Sequence, residues 1–283
     1  MAVTAISGSH MTQAESQTRI DLAACYRLVD LFGWSDLINT RITARVPGAH
    51  HFLINRFGML YDEITASSLV KIDVDGNKVE PSEDEVNSGG FAIPSTIHMA
   101  RPDINCVIHT HTVAGCAVSM QKGGLLPLNQ HALQVIGDVA YHDYEGTGRS
   151  LEERERFLAD FGDKHIMVLR NHGLFIVGRS IAEAFIATYR MERACAMQLA
   201  FQQSGAEFNP LSEAVVSAGC QISCRRRARP RPEQIRLAGI AAQTQPHRPN
   251  LQGIGEPGAI VKLDALEPAC GRIRSNYNFM VQP

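Results

Sequence analysis

Two histidines spaced two residues apart, His109 and His111, are the most informative feature of this chain. They follow residues 105–108, a run rich in apolar side chains that is typical of a buried strand. Side chains two apart on a strand point to the same face. We therefore expect the two imidazoles to face a common point.

A third histidine, His172, lies between two further apolar runs, residues 166–169 and 174–177. Gly173 follows it, and a glycine permits the tight turn that would place this imidazole at a strand end. Three converging neutral imidazoles with one open position are the usual arrangement of a catalytic divalent-metal site. An incidental H-x-H pair is the alternative, and the third histidine favours the metal site.

Hydrophobic periodicity predicts the elements that position these histidines. The predicted helices cover residues 12–33, 88–101, 113–120, 151–161 and 181–203. Strands are predicted at 52–54, in a hairpin around Asp75-Gly76, and beside the histidines. Residues 35–45 are predicted only as a polar segment.

Composition limits the class of protein. The hydrophobic content of 45% is ample for a core, and the net charge of −2 does not indicate nucleic-acid binding. No apolar run approaches the roughly 20 residues of a membrane helix, and no secretory signal is recognised at the N-terminus. The seven cysteines are an odd number, which favours reduced thiols in a cytoplasmic protein.

The two ends of the chain are predicted to differ from its centre. We predict a flexible N-terminus over residues 1–17, a domain over 18–217 and an Arg/Pro-rich irregular tail over 218–283. The basic run at 225–232 favours a solvated, disordered segment. Contact with nucleic acid or an acidic surface is the alternative.

A set of motifs in a fixed order carries a resemblance to a known family over roughly residues 18–205. The motifs are Gly33-Trp34 with Asn39 and Thr43-x-Arg45, Ile64 to Val70, Arg101-Pro102-Asp103, His109-Thr110-His111, Tyr144-Glu145-Gly146, Arg170-Asn171-His172-Gly173 and Glu192-Arg193-Ala194-Cys195. In these the chain resembles the class II aldolase/adducin family. The resemblance implies an α/β fold, a three-layer α/β/α sandwich around a mixed, largely antiparallel sheet. It also implies a homotetramer with sites between subunits.

The resemblance further implies a metal site. In metal-dependent aldolases of this family, zinc is held by the H-x-H pair, the NHG histidine and an upstream glutamate. The three histidines correspond to His109, His111 and His172, with Zn²⁺ expected first and Mn²⁺ or Co²⁺ as alternatives. The glutamate position falls on Gly90, which leaves the fourth ligand open.

The family's phosphate-binding serines are reduced here to Ser88 and Gly89, so a phosphorylated sugar is not the expected substrate. Ser88 remains a candidate substrate contact. Asn39, Thr43 and Arg45 correspond to the family loop that contacts substrate oxygens, and Arg45 could orient a carboxylate. A surface salt bridge is the alternative role for Arg45.

Tyr141 is the first candidate for proton transfer, because some family aldolases place a tyrosine at a strand end that reaches a neighbouring subunit's metal. A half-buried structural tyrosine is the alternative. Glu145 and His142 are further candidates for this role. His98 and His131 could complete the coordination shell.

These residues predict a cytoplasmic, metal-dependent lyase, with an enzyme favoured over a binding protein. It would cleave a carbon–carbon bond, by aldol cleavage or decarboxylation, in a small hydroxy-carbonyl or carboxylated substrate. The alternative is an adducin-like, non-enzymatic binding or scaffold protein with a vestigial site. The expected partners are a small-molecule substrate and other copies of the chain, with neither membrane nor nucleic acid.

Overall fold

The computed structural model describes residues 11–86, 91–146 and 151–228. A seven-stranded sheet forms its centre, in the order β3-β2-β1-β4-β7-β6-β5. The strands are β1 Arg41–Arg45, β2 Phe52–Ile54, β3 Val70–Ile72, β4 Cys106–Thr110, β5 Val139–His142, β6 Ile166–Leu169 and β7 Gly173–Gly178. Only β5 and β6 pair in parallel, so the sheet is mixed and largely antiparallel.

Helices cover both faces of the sheet. They are α1 Gln13–Leu31, α2 Ala92–Ala100, α3 Val113–Ser119, α4 Gln130–Leu133, α5 Leu151–Phe161, α6 Ile181–Ser204 and α7 Glu213–Ala228. Alternate strand residues face opposite helices. On one face, Ile108 packs in a core that α1 and α6 contribute to, and α3 and α4 continue this layer. On the other face, Val107 packs with Phe157 of α5 and Ile97 of α2. The predicted α/β/α sandwich is confirmed.

The prediction for residues 35–45 was wrong over Arg41–Arg45, which form the strand β1 between β2 and β4. Its two arginines and a buried threonine concealed the alternation of apolar and polar residues that is typical of a strand. Thr43 is tolerated in the core because its hydroxyl is 3.0 Å from Nε2 of His98.

The predicted flexible N-terminus is too long. Helix α1 begins at Gln13, where the Thr12 side chain accepts a hydrogen bond from the Glu15 amide at 3.1 Å. Such a cap satisfies an amide that the first turn of a helix leaves free.

The prediction of an irregular tail from residue 218 is wrong as far as Ala228, because α7 runs through it. The Gly137 amide donates to Oγ of Ser223 at 2.9 Å, and Gly219 packs against Leu133. The contacts of α7 are made by small residues, which give no hydrophobic periodicity. The last helix predicted from periodicity therefore ended before α7. The rest of the predicted tail lies outside the described residues.

No helix within the described ranges is long and apolar enough to cross a membrane.

Candidate metal centre

Three imidazoles meet where β4 ends and β7 begins. His109 lies on β4, His111 lies one residue beyond it, and His172 directly precedes β7. Nε2 of His111 is 2.8 Å from Nε2 of His109 and 2.9 Å from Nε2 of His172. The structure thus brings the three predicted ligands together.

The connection between β6 and β7 positions His172. Leu169 pairs with Gly173, so only three residues form the turn. Asn171 adopts a φ of 59°, in the left-handed region that Asn tolerates better than most residues. A Cβ atom on Gly173 would collide with the carbonyl oxygen of Thr110, so only glycine allows β7 to approach β4 this closely.

Hydrogen bonds fix which nitrogen of two rings faces the common point. Nδ1 of His109 is 2.9 Å from the carbonyl oxygen of Leu174, and Nδ1 of His111 is 3.0 Å from a carboxylate oxygen of Asp36. Both oxygens can only accept, so both Nδ1 atoms donate. In the neutral rings, Nε2 of each then presents a lone pair.

Lone pairs at these separations repel one another unless a positive charge lies between them. The three ligand-capable atoms lie within 4.8 Å of one another, and all are imidazole nitrogens, a donor type that suits zinc and related divalent ions. The residues present therefore fit a divalent metal.

The electrostatics favour neutral rings. Burial, and then the neighbouring histidines, hold the pKa of His109 well below its ordinary value. Burial, followed by His111 and Arg41, lowers the pKa of His172 to about 4. Neutral imidazole is the form that binds metals, so neither ring must lose a proton near neutral pH.

Asp36 is a site residue that the sequence analysis missed. Carboxylates that accept from the outer nitrogen of a metal-binding histidine orient its ring and raise its basicity. Asp36 is 75 residues from His111, within a segment predicted only as polar, and no local pattern connects the two. The Asn39 amide donates to the Asp36 carbonyl oxygen at 2.9 Å, so the predicted substrate contact Asn39 braces this turn.

The other predicted substrate contacts are engaged within the fold or lie outside the described part. Thr43 is buried on His98. Arg45 donates to the carbonyl oxygen of His98 near the end of α2, and its guanidinium carbon is 5.1 Å from the ring centroid of Phe52. Arg45 therefore stabilises a helix terminus, a role that differs from both the substrate contact expected first and the surface salt bridge given as its alternative. Ser88 lies outside the described residues, as do Gly89 and Gly90.

Neither His98 nor His131 belongs to the group of converging ligands found among the described residues. Burial, followed by the charge of Arg45, lowers the pKa of His98 to about 3. His98 is thus a neutral core residue.

Tyr141 lies away from the three histidines within its own chain. It shares a row across the sheet with Val168, Leu174 and Thr110, whereas His109 belongs to the next row and so points to the opposite face. The Tyr141 hydroxyl accepts from the Leu125 amide at 3.0 Å.

Glu145 is exposed and forms an ion pair with Arg156, and His142 is 2.7 Å from Asp160. Tyr144 is instead the tyrosine beside the histidines, since its ring centroid is 6.1 Å from that of His172. The Tyr144-Glu145-Gly146 motif was the sequence signal that could have identified it.

Comparison with known proteins agrees with this fold. The family described as "Class II Aldolase and Adducin N-terminal domain" matches residues 20–199. The chain therefore belongs to this family of class II aldolases and adducins.

Particular relatives follow within that family. A protein of Pseudomonas aeruginosa named "Putative aldolase class 2 protein" is 52% identical over 199 residues, covering 70% of this chain and 77% of that protein. Mouse alpha-adducin is 48% identical over 191 residues, covering 66% of this chain but only 26% of the adducin. The crystal structure of an aldolase II superfamily protein from Pseudomonas syringae is 43% identical with a TM-score of 0.77, covering 83% of this chain and 96% of that one.

Proposed function

We propose that this protein is a metal-dependent lyase that cleaves a carbon–carbon bond in a small hydroxy-carbonyl or carboxylated substrate, by aldol cleavage or decarboxylation. The observation that carries the proposal is the convergence of three imidazole Nε2 atoms, two of them with their Nδ1 atoms bonded to fixed acceptors. Family membership supports the same class of chemistry.

His109, His111 and His172 would hold the ion, with Zn²⁺ the first expectation and Mn²⁺ or Co²⁺ as alternatives. A divalent ion supplies Lewis acidity, which stabilises negative charge on a substrate oxygen when the carbon–carbon bond breaks. Three protein ligands leave a coordination position for that oxygen, as in other catalytic sites.

Proton transfer to the reacting carbon needs a further group within reach. Tyr144 is our first candidate on geometry, because its ring centroid is 6.1 Å from that of His172. Tyr141 and Glu145 remain candidates for reaching the site of a neighbouring subunit in a homotetramer. We propose that Asn39 and Ser88 contact substrate oxygens, and that Thr43 and Arg45 act mainly by holding β1 against His98 near the end of α2.

Metal analysis tests the proposal. We expect the wild-type protein to bind about one zinc ion per chain after reconstitution, and His109→Ala/His111→Ala to bind none, because two of the three ligands are gone. The exposed His50→Ala is the matched control and should bind like the wild type. A wild-type protein that stays metal-free with zinc, manganese and cobalt would refute the proposal.

The second candidate is an adducin-like binding or scaffold protein with a vestigial site. The identity of 48% to alpha-adducin favours it, and so does Gly90 at the position of the family's glutamate. The same metal analysis separates the two, since a vestigial site would not retain an ion. In either case we propose a cytoplasmic location.

A further inference from the structure

Behind the histidine pair lies a buried carboxyl group, that of Glu192 on α6, with only 3% of the residue exposed. Oε1 of Glu192 is 3.2 Å from the Thr110 hydroxyl and 2.9 Å from the Thr112 hydroxyl, and Oε2 is 2.8 Å from the Thr112 hydroxyl. One side chain of α6 therefore binds both threonines of the His-Thr-His-Thr run.

The alternation of this run explains why the contact matters. The histidines point to one side of the chain and the threonines to the other. Thr110 is the last residue of β4 that pairs with β7, so His111 lies beyond the pairing of these two strands. The bonds to Glu192 hold the chain on both sides of His111.

The proton of the Thr112 hydroxyl has a defined destination. This oxygen accepts from the Gly115 amide at 3.0 Å and thereby caps α3. A hydroxyl has one proton to donate, and it goes to Glu192. Loss of the carboxyl would remove a side chain that ties the end of β4 to the beginning of α3.

The charge of this carboxylate also complements a cation. The Glu192 carboxyl group accepts hydrogen bonds from two neutral hydroxyls, and its charge adds to burial in raising the pKa of the thiols of Cys116 on α3 and Cys195 on α6. Burial makes the charged form of this carboxyl group costly, and a divalent ion across the strand would favour that form.

We propose that Glu192 is a positioning residue for the metal centre, which holds His109 and His111 from the opposite face of β4 through Thr110 and Thr112. The inference rests on the proposed metal function. Its local part, the ordering of the segment around His111, holds with or without an ion.

Zinc titration of the full-length protein by calorimetry tests the inference. We expect Glu192→Ala to weaken zinc affinity 10- to 100-fold, as loss of a group that orients ligands typically does. Glu192→Gln keeps one acceptor oxygen and should recover part of the loss. The control is Glu15→Gln, since Glu15 on α1 is also buried and binds Arg19 and Lys71, and this variant should leave zinc affinity unchanged.

A second pair of variants covers the case in which Glu192→Ala does not fold. Thr112→Val removes the hydroxyl and should lower zinc affinity, whereas Thr112→Ser restores it and should bind like the wild type. Affinities within twofold of wild type in Thr112→Val and both Glu192 variants would overturn the inference.

Amide hydrogen exchange of the metal-free proteins separates this inference from the proposed function. We expect Thr112→Val and Glu192→Ala to speed exchange over residues 110–116, with no change around α1. If the wild type binds no metal, the proposed function fails. The exchange data then decide the positioning role, and unchanged exchange over 110–116 refutes it.

Discussion

At the scale of single residues, the candidate site depends on groups that set the orientation of the imidazoles. His109 donates to a backbone carbonyl that no side-chain substitution removes, whereas His111 donates to a carboxylate. The orientation of His111 is therefore the part of the site most open to mutation.

Asp36→Asn should weaken zinc binding about 10- to 100-fold, because the amide is a poorer partner for the His111 Nδ1 proton than a carboxylate. Asp36 is partly exposed, so the melting temperature should change little. Zinc titration measures the effect, and Asp143→Asn, an exposed carboxylate beside Arg170, is the control. Equal zinc affinities in the two variants would show that Asp36 does not orient His111 for metal binding.

The pKa of Glu192 predicts that the stability of the fold depends on pH. Burial raises its pKa from 4.5 to about 7 in the folded chain. Between these values the folded state binds more protons than the unfolded state, so the contribution of this group to stability falls as pH rises and reaches its minimum above pH 7. The whole change is on the order of 3 kcal/mol.

Glu192→Gln cannot ionise, so it should gain stability relative to wild type as pH rises from 4.5 to 8. Urea unfolding at pH 5 and pH 8, with a chelator present, measures the difference. A constant difference between the two proteins would mean that Glu192 does not titrate in this range.

The residue scale also shows what could be predicted. The three histidines were found because the H-x-H spacing and the glycine after His172 are local signals. Asp36 was missed because its contact depends on a turn far along the chain. Tyr141 was preferred because it lies on a predicted strand, but the face of β5 to which it points depends on strand pairings that the sequence alone does not supply.

At the scale of elements, the sequence-based prediction and the structure differ most at β1 and α7. The apolar strands and long helices were predicted because their burial produces a clear period. In β1 the pattern Arg-Ile-Thr-Ala-Arg conceals the alternation, since the positions on one face carry arginine and threonine, and Thr43 and Arg45 there form hydrogen bonds within the fold. In α7, Gly219 and Ser223 make the contacts that apolar residues make elsewhere.

Helix α7 should contribute measurably to stability. Ser223→Ala leaves the Gly137 amide without the acceptor it has at 2.9 Å, and we expect a cost of about 1 to 3 kcal/mol. Ser217→Ala, on the exposed side of the same helix, is the control and should be neutral. Thermal unfolding measures both, and equal melting temperatures would show that α7 is not held at this point.

At the scale of the whole molecule, the sandwich was predictable from the resemblance, and the strand order was not. Periodicity identifies strands, but the order β3-β2-β1-β4-β7-β6-β5 depends on pairings between distant segments. The central position of β4 between β1 and β7 is what brings His109 to the middle of the sheet.

Zinc should stabilise the folded chain as a whole. A ligand at 100 times its dissociation constant adds about 2.7 kcal/mol when it binds only the folded state. For a domain of this size that corresponds to a rise of roughly 5 to 10 °C in melting temperature. Magnesium is the control ion, since it prefers oxygen ligands and should have no effect. An equal rise in His109→Ala/His111→Ala would place the ion elsewhere.

The separation of the ligands along the chain has a kinetic consequence. His109 and His111 are two residues apart and need only local structure to come together, but His172 is 61 residues from His111. It arrives only when β4 has paired with β7, and closing so long a loop is among the slower steps of folding. During refolding, uptake of an ion by all three imidazoles would therefore report that this pairing has formed.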